Sequence, residues 1–227
     1  VKTGGFVILD TVRAHKQIVV MVVFFCLLLF GPMIPGQLEN QIFLAAGIVS
    51  AWLASEAKTR ARRGLVILAG PIIALVIVWR LLPPDQLFIS RTTAGTVFLV
   101  STIVFFIYCG GIIVSYLLKA RSVGPNQIAG AVSFYIILGT FWSYIYTILE
   151  FFHPGSFNNV SGSEPDVGAR FLYFSFVTLA TLGYGDITPR IPVAQSLAVI
   201  EVIMGQFYMA IVVAYLLSIF IRKRLGS

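Results

Sequence analysis

Charge is scarce in this sequence. Only 11% of its 227 residues are Asp, Glu, Lys or Arg, against roughly 25% in a soluble globular chain, and so small a share excludes a surface built to face water. Cysteine is nearly missing: Cys26 and Cys109 both fall inside apolar stretches with no ligand spacing around them. Neither a disulfide framework nor a zinc site is expected, and both cysteines read as inert, buried residues. Acidic residues are fewer than basic ones, nine against sixteen, which leaves a net charge of +7. In a soluble domain that excess would suggest nucleic-acid binding. Here the basic residues lie between long apolar runs, so no nucleic acid is expected and their positions carry topological information instead. What the sequence does hold is apolar residues, 58% of the chain, the composition of a membrane protein. The start at Val1 rather than methionine and the Leu225-Gly226-Ser227 end give the expectation of trimmed flanks.

Apolar runs cover Gln17–Ile34, Ile42–Ala57, Gly64–Leu82, Thr93–Leu118, Gln127–Leu149 and Ile191–Ile221. A hydrocarbon core of roughly 30 Å needs about 20 residues at 1.5 Å each, so the second run is short and the sixth too long. The sixth is expected to project its last turns, ending Arg222-Lys223-Arg224, into water. The fold class that follows is an all-α membrane protein of six transmembrane helices. Lys2, Arg13 and Lys16 precede the first run, the cluster Lys58 to Arg63 follows the second, Lys119 and Arg121 follow the fourth, and Arg222 to Arg224 follow the sixth. Alternation across the bilayer puts all of these on one side and leaves Arg80, Arg91, Arg170 and Arg190 on the other. Both termini are therefore expected in the cytoplasm, in a plasma (cell inner) membrane.

Between the last two runs lies a segment too polar to face lipid. A loop rich in Gly, Ser, Asn and Pro leads to a short aromatic helix, predicted over 167–180 with Asp166 as its N-cap, and then to Thr181-Leu182-Gly183-Tyr184-Gly185-Asp186. The helix is too short to cross, so the segment must dip in and return. Backbone of this kind survives at membrane depth only when buried in protein or lining a water-filled cavity. Gly183 and Gly185 can adopt positive φ, which lets successive carbonyls turn toward one axis. Glu201, a carboxylate within a spanning helix, costs several kcal/mol unless it is paired. It reads either as a structural residue, hydrogen-bonded to the short aromatic helix of its own or an adjacent chain, or as an ion or proton site.

The hexad 181–186, set between two spanning runs and behind a short aromatic helix, resembles the selectivity filter of potassium channels of the six-transmembrane type with a TxGYGD pore loop. The likeness covers about Gln127 to Ile221. It implies a peripheral four-helix domain over 1–125 and a pore domain over 126–227, comprising an outer helix 127–149, pore helix 167–180, filter 181–186 and inner helix 191–221. It also implies a homotetramer, since each chain carries a single filter unit. Potassium ions would be held by rings of oxygens from Thr181, Leu182, Gly183 and Tyr184, with no other cofactor and no catalysis. Leu182 and Tyr184 would point back into protein. Asp186 would gather cations at the outer mouth, and Gly185 would complete the filter's support.

Two tryptophans common in such pore helices are replaced by Tyr173 and Phe174, and Tyr173 is placed for its hydroxyl to reach Asp186. Val177 stands where some relatives carry a glutamate paired with the filter aspartate. Glu150 resembles a carboxylate that ties the outer helix to backbone behind the filter, its alternative being a solvated loop charge. Gly205, twenty residues after Gly185, fits a hinge or a close packing point. No charged residue lies between Arg91 and Lys119, so the fourth span is no conventional voltage sensor, and Arg80 reads as a snorkelling residue. The Lys58–Arg63 loop either touches anionic lipid or simply marks the cytoplasmic side. Asn159-Val160-Ser161 fits a glycosylation acceptor, a triplet that also arises by chance. The expectation is passive, potassium-selective conduction with lipid as the other partner. A weakly selective cation channel, a cation transporter and a non-conducting membrane subunit are the alternatives.

Overall fold

The computed structural model describes residues 16–30, 63–70, 72, 91–119, 124–160, 164–212, 214–215, 217–218 and 221. In chain order these form α1 (Lys16–Phe30), a helical stretch 63–70, α2 (Arg91–Leu118), α3 (Pro125–Phe152), β1 (Phe157–Asn158), α4 (Glu164–Leu179), β2 (Thr188–Pro189) and α5 (Pro192–Phe207). A π-helical turn, Tyr208–Val212, continues α5. Three helical segments among the described residues are long and apolar enough to cross a membrane: Gly95–Leu118, Pro125–Phe152 and Pro192–Val212. The expected second span lies outside the described residues, as does most of the third, and with them part of the four-helix peripheral domain. The outcome established by these helices is a mostly helical, multi-pass membrane protein.

α3 is the central element, with α1 and α2 packed on it and α4 lying along it. It starts at Pro125, whose missing N–H costs nothing in a first turn, and the Gln127 Oε1 reaches back to accept from the Gly124 amide at 2.9 Å as one half of a capping box. The helix is therefore longer at both ends than the expected 127–149. Leu99, Phe106, Ile113 and Leu117 of α2 bury their side chains with Ala131, Ile136, Ile137 and Tyr144 of α3. A second core lies under the outer loop, where the rings of Tyr146, Phe157, Phe171 and Phe174 meet mostly edge to face, with centroids 4.9 to 6.1 Å apart. Such pairs add about 0.5–1.5 kcal/mol each beyond the area they cover. Cys109 is buried as expected, whereas Cys26 is exposed on α1.

Small residues let helices approach where lipid leaves little hydrophobic drive for association. A Cβ on Gly139 of α3 would come 2.7 Å from the Phe176 ring of α4, so the glycine sets that spacing. Along α5 the buried residues are Ala194, Ala198, Glu201 and Gly205, followed by Tyr208. Their four-three-four-three spacing draws one narrow stripe, along which Glu201 and Gly205 meet α4 and Tyr208 meets α3. Phe157 pairs with Pro189 and Asn158 with Thr188, antiparallel, so the outer loop is stitched to the chain just past residue 186.

Two boundaries differ from the sequence reading. α4 begins at Glu164 rather than 167, so Asp166 sits inside the first turn and not at the N-cap. The inner segment is not one α-helix over 191–221: α geometry ends at Phe207 and a π turn follows. At that turn the Tyr208 hydroxyl donates to the Ala131 carbonyl of α3 at 2.5 Å, while its ring lies against Phe134 and Tyr135.

Candidate functional site

The hexad leaves α4 through a Schellman motif. Thr181 N donates to Thr178 O at 2.9 Å and Leu182 N to Val177 O at 2.8 Å, the two bonds that motif uses to satisfy the last carbonyls of a helix. The residue at its left-handed position is normally glycine; here it is Thr181, with φ 60°. Gly183 at φ 56° and Gly185 at φ 79° repeat that handedness at every second residue. Positive φ at alternate residues is the kind of backbone alternation that a row of carbonyl ligands on one side would use. The positive φ of both glycines was legible in the sequence. That of Thr181 was not, since a β-branched residue rarely adopts it.

Leu182 is 56% exposed and Tyr184 65% exposed. Within the single chain neither side chain is covered. Thr181, Gly183, Gly185 and Asp186 are exposed as well. Val177 is buried and supports the segment with its main chain, through the carbonyl that receives the Leu182 amide.

The outer end is tied by several groups. The Tyr173 hydroxyl donates to the Asp186 carboxylate and holds it below the ordinary carboxylate range, with the Ile187 amide adding to the effect. Asn159 Nδ2 donates to the Asp186 carbonyl at 2.8 Å, and Asn159 O in turn accepts from the Arg170 guanidinium at 2.9 Å. Asn159 has φ 62°. The sequence reading saw in it only a glycosylation triplet, whereas its amide is engaged with the backbone at the end of the hexad. Glu150 accepts from Gly155 N at 2.7 Å and Phe157 N at 3.2 Å. It thus braces the outer loop, whose strand pairs with 188–189, rather than the hexad's own backbone.

Glu201 lies at 0% exposure. Its Oε2 receives the Tyr146 hydroxyl of α3, and its Oε1 stands 2.5 Å from Ser175 Oγ of α4. Both partners belong to its own chain, and neither was legible in the sequence, because serine and tyrosine on an apolar helix carry no signal of whom they meet. Gly205, one turn further on, is buried against the C-terminus of α4: a Cβ there would come 2.5 Å from Leu179 O. That is a close packing point, and the departure from α geometry comes three residues later.

A short helix and the exposed hexad 181–186 thus lie between two helices long and apolar enough to cross a membrane. Residues 130–222 match the model of a family described as ion channel. A stretch of 65 residues is 40% identical to the two pore potassium channel c of Oryza sativa subsp. japonica, covering 29% of this chain and 14% of that protein. The chain thus aligns with only a small part of that relative's length. No solved structure matches the chain.

Proposed function

We propose that four copies of this chain assemble around a central axis as a potassium-selective channel that conducts passively. The observation that carries this reading is the left-handed backbone at Thr181, Gly183 and Gly185, in an exposed segment at the end of a short helix; in this reading it turns the peptide oxygens toward the shared axis. Oxygens of Thr181, Leu182, Gly183 and Tyr184 then replace the water shell of potassium, and the Asp186 carboxylates concentrate cations at the mouth. The exposure of Leu182 and Tyr184 supports assembly, since in a ring the neighbouring protomer supplies the protein behind them. The termini lie in the cytoplasm and the protein resides in the plasma membrane, by the distribution of Lys and Arg. Opening is not driven by a conventional voltage sensor.

The test is flux from liposomes holding the purified protein under a potassium gradient. Potassium is expected to leave much faster than sodium under matched gradients. Equal rates would mark a weakly selective cation channel, and flux of neither ion would mark a non-conducting subunit.

A further inference from the structure

Three helices meet at one buried carboxyl. Tyr146 Oη lies 2.5 Å from Glu201 Oε2, Ser175 Oγ lies 2.5 Å from Glu201 Oε1, and the same Ser175 Oγ lies 2.7 Å from Gly139 O. Each of these contacts between oxygens needs a proton. Gly139 O can only accept, and the two hydroxyls bring one proton each. With an ionised Glu201, the single proton of Ser175 would face two acceptors and one contact would be left without a hydrogen. A proton on Oε1 closes the count: Tyr146 donates to Oε2, Oε1 donates to Ser175 Oγ, and Ser175 donates to Gly139 O.

Charge points the same way. Glu201 is the one acidic or basic residue in α5, α3 carries only Glu150, and the single cation of α4 is Arg170, whose guanidinium is bonded to Asn159 O. No cation among these helices therefore offsets an ionised Glu201, and an unpaired buried charge costs several kcal/mol. Tyr135 of α3 also faces this carboxyl, and as a phenol it brings no positive charge.

We infer that Glu201 is a neutral carboxylic acid whose proton completes a hydrogen-bond chain from Tyr146 through Ser175 to Gly139 O, making it the positioning residue that fixes the pore helix between the outer and inner helices. The pore helix carries the hexad directly from its C-terminus, so a displaced Ser175 displaces the carbonyl row. That consequence for ion selection rests on the channel reading above; the state of the carboxyl does not.

Infrared difference spectroscopy of the reconstituted protein at neutral pH separates the two. The wild type is expected to show the C=O band of a protonated carboxyl, lost in Glu201→Gln. Tyr146→Phe removes one donor from Oε2 and is expected to shift the same band, which keeps the test open if the glutamine variant fails to fold. No such band in the wild type, or a band unmoved by both variants, overturns the inference. In potassium and sodium flux, Glu201→Gln is expected to retain the wild-type preference, because an amide can accept from Tyr146 and donate to Ser175. Glu201→Ala and Ser175→Ala are expected to lower it several-fold. An undiminished preference in both alanine variants overturns the positioning role. Absence of flux in every sample, wild type included, would count against the channel reading, while the infrared band would still decide the carboxyl.

Discussion

Thr181 holds a backbone conformation that costs a β-branched residue about 1–3 kcal/mol, and it keeps that conformation because the helix terminus over-determines it. Two amide bonds, from Thr181 and Leu182, close the end of α4, and both must stretch if φ returns to negative values. Gly205 is the opposite case, a residue whose lack of a side chain is used. Gly205→Ala places a methyl 2.5 Å from the Leu179 carbonyl, a backbone atom that cannot swing aside. The expected cost is about 1–3 kcal/mol of overpacking, read as a lower thermal midpoint of the detergent-solubilised protein; an unchanged midpoint would mean that α4 gives way freely. At the outer mouth the sign of the pH effect follows from Asp186. Its carboxyl is held low by Tyr173, so the contact with the ionised form is complete above the unfolded value of about 3.9 and is lost as pH falls through the lower folded value. Potassium flux is expected to stay flat from neutral pH down to about 4 and to fall below it. In Tyr173→Phe the fall begins at higher pH; an identical profile in that variant would remove the tyrosine from the argument.

At the scale of elements, the helix pair and the short helix between them were legible because their signals are local: apolar run length, a polar break, and glycines at alternate positions. Tyr173 meeting Asp186 was legible too, since both flank the same short segment. What escaped the sequence is the identity of most partners across elements, although Glu201 was expected to bond to the short helix. Nothing in an apolar run marks Tyr146 and Ser175 as the partners of Glu201, or Asn159 as the donor to the Asp186 carbonyl. The π turn at Tyr208–Val212 escaped for the same reason. Its anchor is a tyrosine hydroxyl bonded to a carbonyl on another helix, and π turns are usually local insertions that pattern reading cannot see. Breaking that anchor is expected to loosen the turn alone. In Tyr208→Phe, hydrogen exchange of the amides around 208–212 rises, while the amides of 192–201 keep their protection. A uniform rise along the whole inner segment would show that the anchor holds α5 in place rather than the turn.

For the molecule as a whole, the division of labour between its two halves turns on where charge is missing. The half that holds the hexad buries one face of α5 and leaves Val199, Ile203 and Phe207 exposed, apolar residues fit for lipid or for a neighbouring protomer. The preceding half offers α2, twenty-eight residues long, with no Lys, Arg, Asp or Glu after Arg91. One elementary charge moved through 100 mV is worth about 2.3 kcal/mol, and steep gating needs several such charges in each subunit. A charge-free α2 contributes none, however far it moves, so any conformational change it undergoes is driven by packing or by bound molecules. Conductance of the reconstituted protein is therefore expected to change only weakly across the physiological voltage range. A steep curve carrying several gating charges would require that they sit on another element, and it would separate the mechanism of opening from the fourth apolar run altogether.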